Sequence, residues 1–153
     1  MIELRPIESR DVPAVLVLVA DVLGEFGLEF GKGSSTDTEL QQLPASYADR
    51  GGAFWVALHN GELLGTCGVF PVEPATFELR KMYLSPTSRG LGLGKRLLDV
   101  AVEHARAHGG TRLVLDTAES MTRAIAFYEA HGFQRDDMWI RGPRCSRGYV
   151  RVL

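Results

Sequence analysis

Arg89-Gly90-Leu91-Gly92-Leu93-Gly94-Lys95-Arg96 is the stretch on which the reading of this chain turns. Three glycines alternate with other residues between basic flanks, and helical spacing begins at the same point. A helix N-terminus offers unpaired backbone N–H groups and the positive end of a dipole, and glycines let a phosphate approach that backbone closely. Arg89 and Lys95 add positive charge on either side. Two other phosphate motifs fail on inspection. G-x-G-x-x-G breaks because Lys95 stands three residues past Gly92. G-x-x-x-x-G-K-[ST] breaks twice, at Arg89 and at Arg96.

Outward from this loop, the spacing predicts a helix from Gly92 to His108, with Leu93, Leu97, Val100, Ala101, His104 and Ala105 on one face and Gly109-Gly110 as its stop. Before the loop come three consecutive strands, Ala53–Leu58, Leu63–Phe70 and Thr76–Leu84. The first two are joined through Asn60-Gly61, a strong hairpin signal. Nearer the N-terminus, Ile2–Pro6 reads as a strand, followed by a helix entered through Ser9 or Asp11. Pro13 is tolerated in its first turn, and Val12, Val15, Leu16, Val19 and Leu23 form its apolar face. Gly24–Ser35 is expected to be a loop, either a substrate lid or a plain surface loop. A second helix capped by Thr36 or Asp37 is expected to run through Tyr47. After the long helix, Leu113–Leu115 suits a buried central strand. Met121–Ala130 reads as a helix, and Phe133–Ile140 and Gly148–Leu153 as strands around the loop Arg141–Arg147. The order β-α-α-β-β-β-α-β-α-β-β implies an α/β (α+β) fold: a mixed sheet of six to seven strands with helices on both faces.

The quoted residues resemble a known family. Arg89-x-x-Gly92-x-Gly94 is similar to the Q/R-x-x-G-x-G/A motif of the GNAT superfamily of N-acetyltransferases, which binds the diphosphate of coenzyme A. Glu78–Leu84 is similar to the family strand before that loop, and Phe127-Tyr128-Glu129-Ala130-His131-Gly132-Phe133 to its later F/L-Y-x-x-x-G-F element. The element order agrees over essentially all of residues 1–153, read as one N-acetyltransferase domain. Met121 stands where much of the family has an asparagine seven residues before the tyrosine. Asp116-Thr117-Ala118-Glu119-Ser120-Met121 resembles a subgroup reading L-D-T-x-x-x-M.

The resemblance implies an acyl-CoA-dependent N-acyltransferase, most simply one moving acetyl from acetyl-CoA directly to a primary amine of a small molecule or peptide. It implies a cofactor site formed by Met82, Tyr83, Leu84 and the stretch Arg89, Gly90, Leu91, Gly92, Leu93, Gly94 and Lys95. Tyr128 matches the tyrosine that stands beside the CoA sulfur and protonates it. Glu78 matches a glutamate that several members use as a base, and an ordinary ion-paired strand carboxylate is an equal reading. Strand alternation, barring a bulge, puts Glu78, Arg80, Met82 and Leu84 on one face. Arg80 is then a candidate clamp for an acceptor carboxylate, the other reading being a simple Glu78–Arg80 pair. Homodimers are frequent in the family. A CoA-binding module without catalysis, acting as a sensor, is the rival class.

Composition excludes other classes. The chain has 153 residues, 45% hydrophobic and 24% charged, and a formal net charge of -2, which is no footprint for nucleic acid. No segment approaches the roughly 18 apolar residues of a membrane span, and Met1–Pro6 lacks the order of a signal peptide, so the expected location is the cytoplasm. Cys67 and Cys145 lack paired metal-ligand spacing, and Cys67 reads as a core residue. His104 and His108 are four apart without a third ligand, so no metal is expected. His131 is expected at a helix C-terminus, where a partial positive charge is favourable. Arg141, Arg144 and Arg147 form either an anion site or a solvated loop.

Overall fold

The computed structural model describes residues 1–153. A mixed sheet holds seven strands: β1 (Glu3–Pro6), β2 (Ala53–His59), β3 (Glu62–Glu73), β4 (Thr76–Leu84), β5 (Arg112–Thr117), β6 (Gln134–Arg135) and β7 (Arg147–Val152). Their order in space is β1-β2-β3-β4-β5-β7-β6. Four α-helices accompany them: α1 (Val12–Glu25), α2 (Ala45–Ala48), α3 (Leu93–Ala107) and α4 (Thr122–Ala130).

Local chemistry accounts for most of this. Asn60 and Gly61 both take positive φ, 50° and 79°, which matches the twist a two-residue hairpin needs between β2 and β3. Two buried clusters cover the two faces of the sheet. Leu93, Leu97, Leu98 and Ala101 of α3 pack on Phe77, Leu79, Leu113 and Leu115, together with Tyr128 of α4. On the other face Val15, Val19, Val22 and Leu23 of α1 pack on Phe54, Val56 and Tyr83. Leu18 and Val22 join the expected α1 face as buried members.

Four expectations are revised. Helix α1 runs through Gly24 to Glu25, because the burial of Val22 and Leu23 outweighs the ~1 kcal/mol cost of a helical glycine. The predicted second helix splits into a 3-10 turn, Asp37–Gln42, and the short α2. Pro44 holds Leu43 extended, at φ -66° and ψ 148°, and ends the first piece. The strand expected over Phe133–Ile140 is only β6, since Asp136 accepts from the Met138 amide at 3.2 Å and caps a 3-10 turn, Asp137–Trp139.

The fourth revision bears on the site. Strand β4 carries a bulge opposite Cys67, where Lys81 takes φ 54°. The extra residue reverses the alternation beyond it. Met82 and Leu84 therefore pack with α3, while Lys81 and Tyr83 share the α1 side with Glu78 and Arg80.

Candidate acyl-transfer site

Strands β4 and β5 are parallel neighbours for only three pairs, Thr76–Arg112, Phe77–Leu113 and Glu78–Val114. Beyond Glu78 they diverge. Strand β5 continues paired to β7 as far as Thr117, while β4 continues paired only to β3. The second edge of β4 from Leu79 to Leu84 is thereby open, and α4 closes the far end of the gap. Two cavities occupy the opening. One, of about 190 Å³, is walled by Met82, Leu84, Arg89, Gly94, Ala124 and Phe127. The other, of about 310 Å³, lies under the loops around Ser34–Thr36 and Arg141–Cys145. Met82, Tyr83, Met121 and Tyr128 line both, so the two meet at these four residues.

The first cavity leads to the glycine loop. Gly90 and Gly92 take φ 81° and 77°, a backbone that residues with a Cβ rarely adopt, and Gly92 caps α3. The first amide past Ser88 that donates within the protein is that of Arg96, to Gly92 O at 3.3 Å; the amides from Arg89 to Lys95 donate to no protein acceptor. Unpaired donors at a helix start are an anion site in waiting. Gly94 is buried, and a Cβ there would meet Phe127 at 3.2 Å. The flanking cations are already paired. Arg89 binds Glu25 at 2.8 and 3.2 Å and the carbonyl of Leu84 at 3.1 Å. Lys95 pairs with Asp99 at 2.8 Å on the surface of α3. The backbone is thus the free component of this loop.

Tyr128 stands at the junction, 8% exposed, and its hydroxyl makes no hydrogen bond within the protein. Burial raises its pKa well above the ordinary 10, so it stays a neutral O–H. Met121 precedes α4 and accepts from Thr117 Oγ1 through its sulfur at 3.7 Å.

Charged groups crowd the larger cavity. Glu78 is 4% exposed, and its Oε1 accepts from Arg80 Nε at 2.5 Å. Its Oε2 lies 3.1 Å from Arg141 Nε, close as a charge, yet no N–H points at it and it accepts no hydrogen bond. Arg80 also binds Glu39 at 3.2 Å and lies over the Phe70 ring, 4.2 Å from its centroid. The Glu78–Arg80 pair anticipated as one reading of the strand is therefore present, with Arg80 held on three sides.

Sequence reasoning missed a buried ion triad beside this pair. Asp37, fully buried, contacts Lys81 Nζ and accepts from Arg144 at 2.8 and 3.2 Å and from the Gly31 amide at 2.7 Å. Burial opposes its ionisation, but Arg144 and Lys81 prevail and hold its pKa at about 2. Burial lowers the pKa of Lys81, against the pull of Asp37. Arg144 further bonds the carbonyls of Glu29 and Lys32, and its amide donates to Gly33 O. The glycine-containing loop after α1 and the loop before β7 are thereby tied into one roof. Of the three loop arginines, Arg144 is inside this triad, Arg147 pairs with Glu119 at 2.9 Å, and Arg141 faces the cavity. His104 bonds the carbonyl of Gly51 and stacks on His108, while His131 binds the carbonyl of Phe127 near the end of α4. No cluster of three metal-ligating side chains occurs, and no helix is long and apolar enough to cross a membrane.

Open helix amides for a phosphate, a free strand edge for amides, and acid–base groups at the groove's end suit a transferase fed by a long phosphorylated carrier. Comparison with known proteins makes the class specific. The model of the acetyltransferase (GNAT) family matches residues 20–133. Over 138 residues the chain is 38% identical to the uncharacterized N-acetyltransferase YjgM of Escherichia coli, covering 88% of this chain and 83% of that protein. A GNAT-family acetyltransferase from Staphylococcus aureus superposes with a TM-score of 0.92 at 22% identity, over 100% of this chain and 99% of the other. PaiA N-acetyltransferase from Thermoplasma acidophilum, solved in complex with coenzyme A, superposes with a TM-score of 0.80 at 17% identity, over 100% and 99%. The chain belongs to the GNAT acetyltransferase family. It is an acetyltransferase enzyme, and its seven-stranded sheet is the fold of that family.

Proposed function

We propose that residues 1–153 form one domain that moves an acetyl group from acetyl-CoA to a primary amine of a small molecule or peptide, directly, within a ternary complex. The observation that carries this is the meeting of the two cavities at Met82, Tyr83, Met121 and Tyr128. In this reading the diphosphate sits on the unpaired amides of Arg89–Lys95, and the pantetheine amides pair with the open edge at Met82–Leu84. The thioester then reaches the junction, and the acceptor enters through the larger cavity. We place this activity in the cytoplasm, where acyl-CoA is made and used.

The chemistry is the transfer of a proton away from the amine and onto the sulfur. An amine of pKa ~10.4 costs about 4–5 kcal/mol to neutralise at pH 7. Glu78 takes that proton through its unpartnered Oε2. The free amine attacks the thioester carbon, the C–S bond breaks, and Tyr128 gives its proton to the departing thiolate; the proton that nitrogen sheds on becoming an amide restores the tyrosine hydroxyl, and Glu78 releases its own to solvent. Neither cysteine suits a covalent route. Burial raises the pKa of Cys67 far above the ordinary thiol range and pushes Cys145 up to about 12, so neither supplies a thiolate at neutral pH.

The test is release of free CoA from acetyl-CoA in the presence of a panel of primary amines, with calorimetry of acetyl-CoA on wild type and Gly92→Val. Gly92 takes φ 77°, where a β-branched residue is strained, so valine there distorts the backbone that presents the loop amides. Amine-dependent release is expected, with acetyl-CoA affinity at least tenfold weaker in the variant, about 1.4 kcal/mol. Tight binding without release for any amine would favour a sensor role. Unchanged affinity in a folded Gly92→Val protein would remove the diphosphate from this loop.

A further inference from the structure

We propose that Arg141 reads a carboxylate on the acceptor, so that the substrate class is amines bearing a carboxylate a few bonds from the ammonium, as in amino acids and short peptides. This deepens the acetyl-transfer reading above and rests on it.

The argument begins with which charges on the larger cavity are already spent. Arg80 is held by Glu78, Glu39 and the ring of Phe70. Lys81 and Arg144 are both held by Asp37. Arg141 differs. Its side chain is 46% exposed and lines the cavity. Its Nε lies 3.1 Å from Glu78 Oε2, and its guanidinium donates no hydrogen bond within the protein. Two parallel N–H donors on a planar guanidinium match the two oxygens of a carboxylate.

The guanidinium is also carried on a fixed backbone. The amides of Arg141 and Gly142 both donate to Asp116 Oδ2, at 2.7 and 3.2 Å. Three residues on, Arg144 anchors the same loop to Asp37. A cation whose main chain is tied at both ends loses less freedom on binding than one on a loose loop.

Beside it lies the complementary group. Glu78 Oε2 is a buried carboxylate oxygen without a hydrogen bond, an expensive condition unless a ligand supplies the donor. A carboxylate oxygen without a hydrogen bond and a half-used guanidinium, 3.1 Å apart, form a two-pole site: ammonium on Glu78, carboxylate on Arg141. A cavity of about 310 Å³ holds a small molecule of this kind. If Arg141 merely offset the charge of Glu78, the site would be indifferent to a carboxylate. Arg80, which spacing alone suggested for the clamp, acts instead through Glu78 as a positioning residue.

The experiment is steady-state kinetics on paired acceptors, each an amino acid or dipeptide and its C-terminal amide, at saturating acetyl-CoA. Wild type, Arg141→Gln and Arg141→Lys are compared. Wild type is expected to favour the free carboxylate at least tenfold in kcat/KM, mainly through acceptor KM. In Arg141→Gln the preference should collapse to within about twofold, and Arg141→Lys should restore part of it. Equal use of acid and amide by wild type, or a preference intact in Arg141→Gln, overturns the clamp while leaving acetyl transfer standing. Absence of transfer to any amine would overturn both.

Discussion

Thr66 Oγ1 donates a 2.8 Å hydrogen bond to the carbonyl oxygen of Lys81, across the point where β3 and β4 fall out of register. Both residues are buried, so this bond satisfies a carbonyl that the bulge removes from the ladder. The bulge in turn directs Met82 towards α3 and Tyr83 towards α1, on opposite walls of the groove. Thr66→Val keeps the shape and removes the donor. We expect a loss of about 1–3 kcal/mol in denaturant unfolding and a raised KM for acetyl-CoA. A variant with wild-type stability and KM would show that the bulge needs no such support.

Tyr128→Phe retains the ring that packs on Phe133 and removes only the hydroxyl. The expected result is a kcat lower by about 10–1000-fold with nearly unchanged acetyl-CoA affinity. Because burial raises the hydroxyl's pKa, wild-type turnover should show no loss of the proton donor as pH rises towards 10. Full turnover in Tyr128→Phe would transfer the proton-donor role to another group.

Glu78→Gln keeps a side chain able to bond Arg80 but unable to take a proton. At pH 7 we expect kcat/KM for the amine to fall by about 100- to 10,000-fold. The deficit should shrink as pH rises through the acceptor's own pKa, about 8 for a peptide α-amino group and ~10.4 for a lysine-like amine, where the amine loses its proton without help. A deficit constant across that range would mean that Glu78 does not act as a base.

The Asp37 triad predicts an acid limb to stability. Its carboxyl titrates at about 2 in the folded protein against 3.8 ordinarily, so the unfolded chain binds its proton first as pH falls. The stabilisation, about 2 kcal/mol, is complete above pH ~4 and is lost as pH falls through ~2. Asp37→Asn leaves Lys81 and Arg144 buried without a counter-charge, a change that costs roughly 3–5 kcal/mol. Chemical unfolding at pH 7 and at pH 3 measures both effects. A variant as stable as wild type at pH 7 would contradict the triad's role.

What the sequence made legible was local. Asn60-Gly61 sets a hairpin by its own backbone preferences, and Gly92 with the following Leu93, Leu97 and Ala101 marks the start and face of α3. The motif around Tyr128 was readable because it is contiguous. Long-range pairing left no such trace: Asp37 and Arg144 are 107 residues apart, and each alone reads as a surface residue. The bulge at Lys81 was equally hidden, since nothing local distinguishes a lysine at φ 54° from its neighbours. That one inserted residue decides which side of the sheet the following side chains take, so simple alternation misassigned Met82 and Leu84. Arg141 was visible only as one of three loop arginines, and only the pairing of the other two singles it out.

The most direct test of the central claim is a crystal structure of the protein with coenzyme A, read for the positions of the sulfur and the diphosphate. The account predicts a diphosphate within hydrogen-bond reach of the amides between Arg89 and Lys95, a pantetheine arm along Met82–Leu84, and a sulfur within about 4 Å of Tyr128 Oη. A sulfur remote from Tyr128, or a diphosphate bound away from the glycine loop, would contradict it.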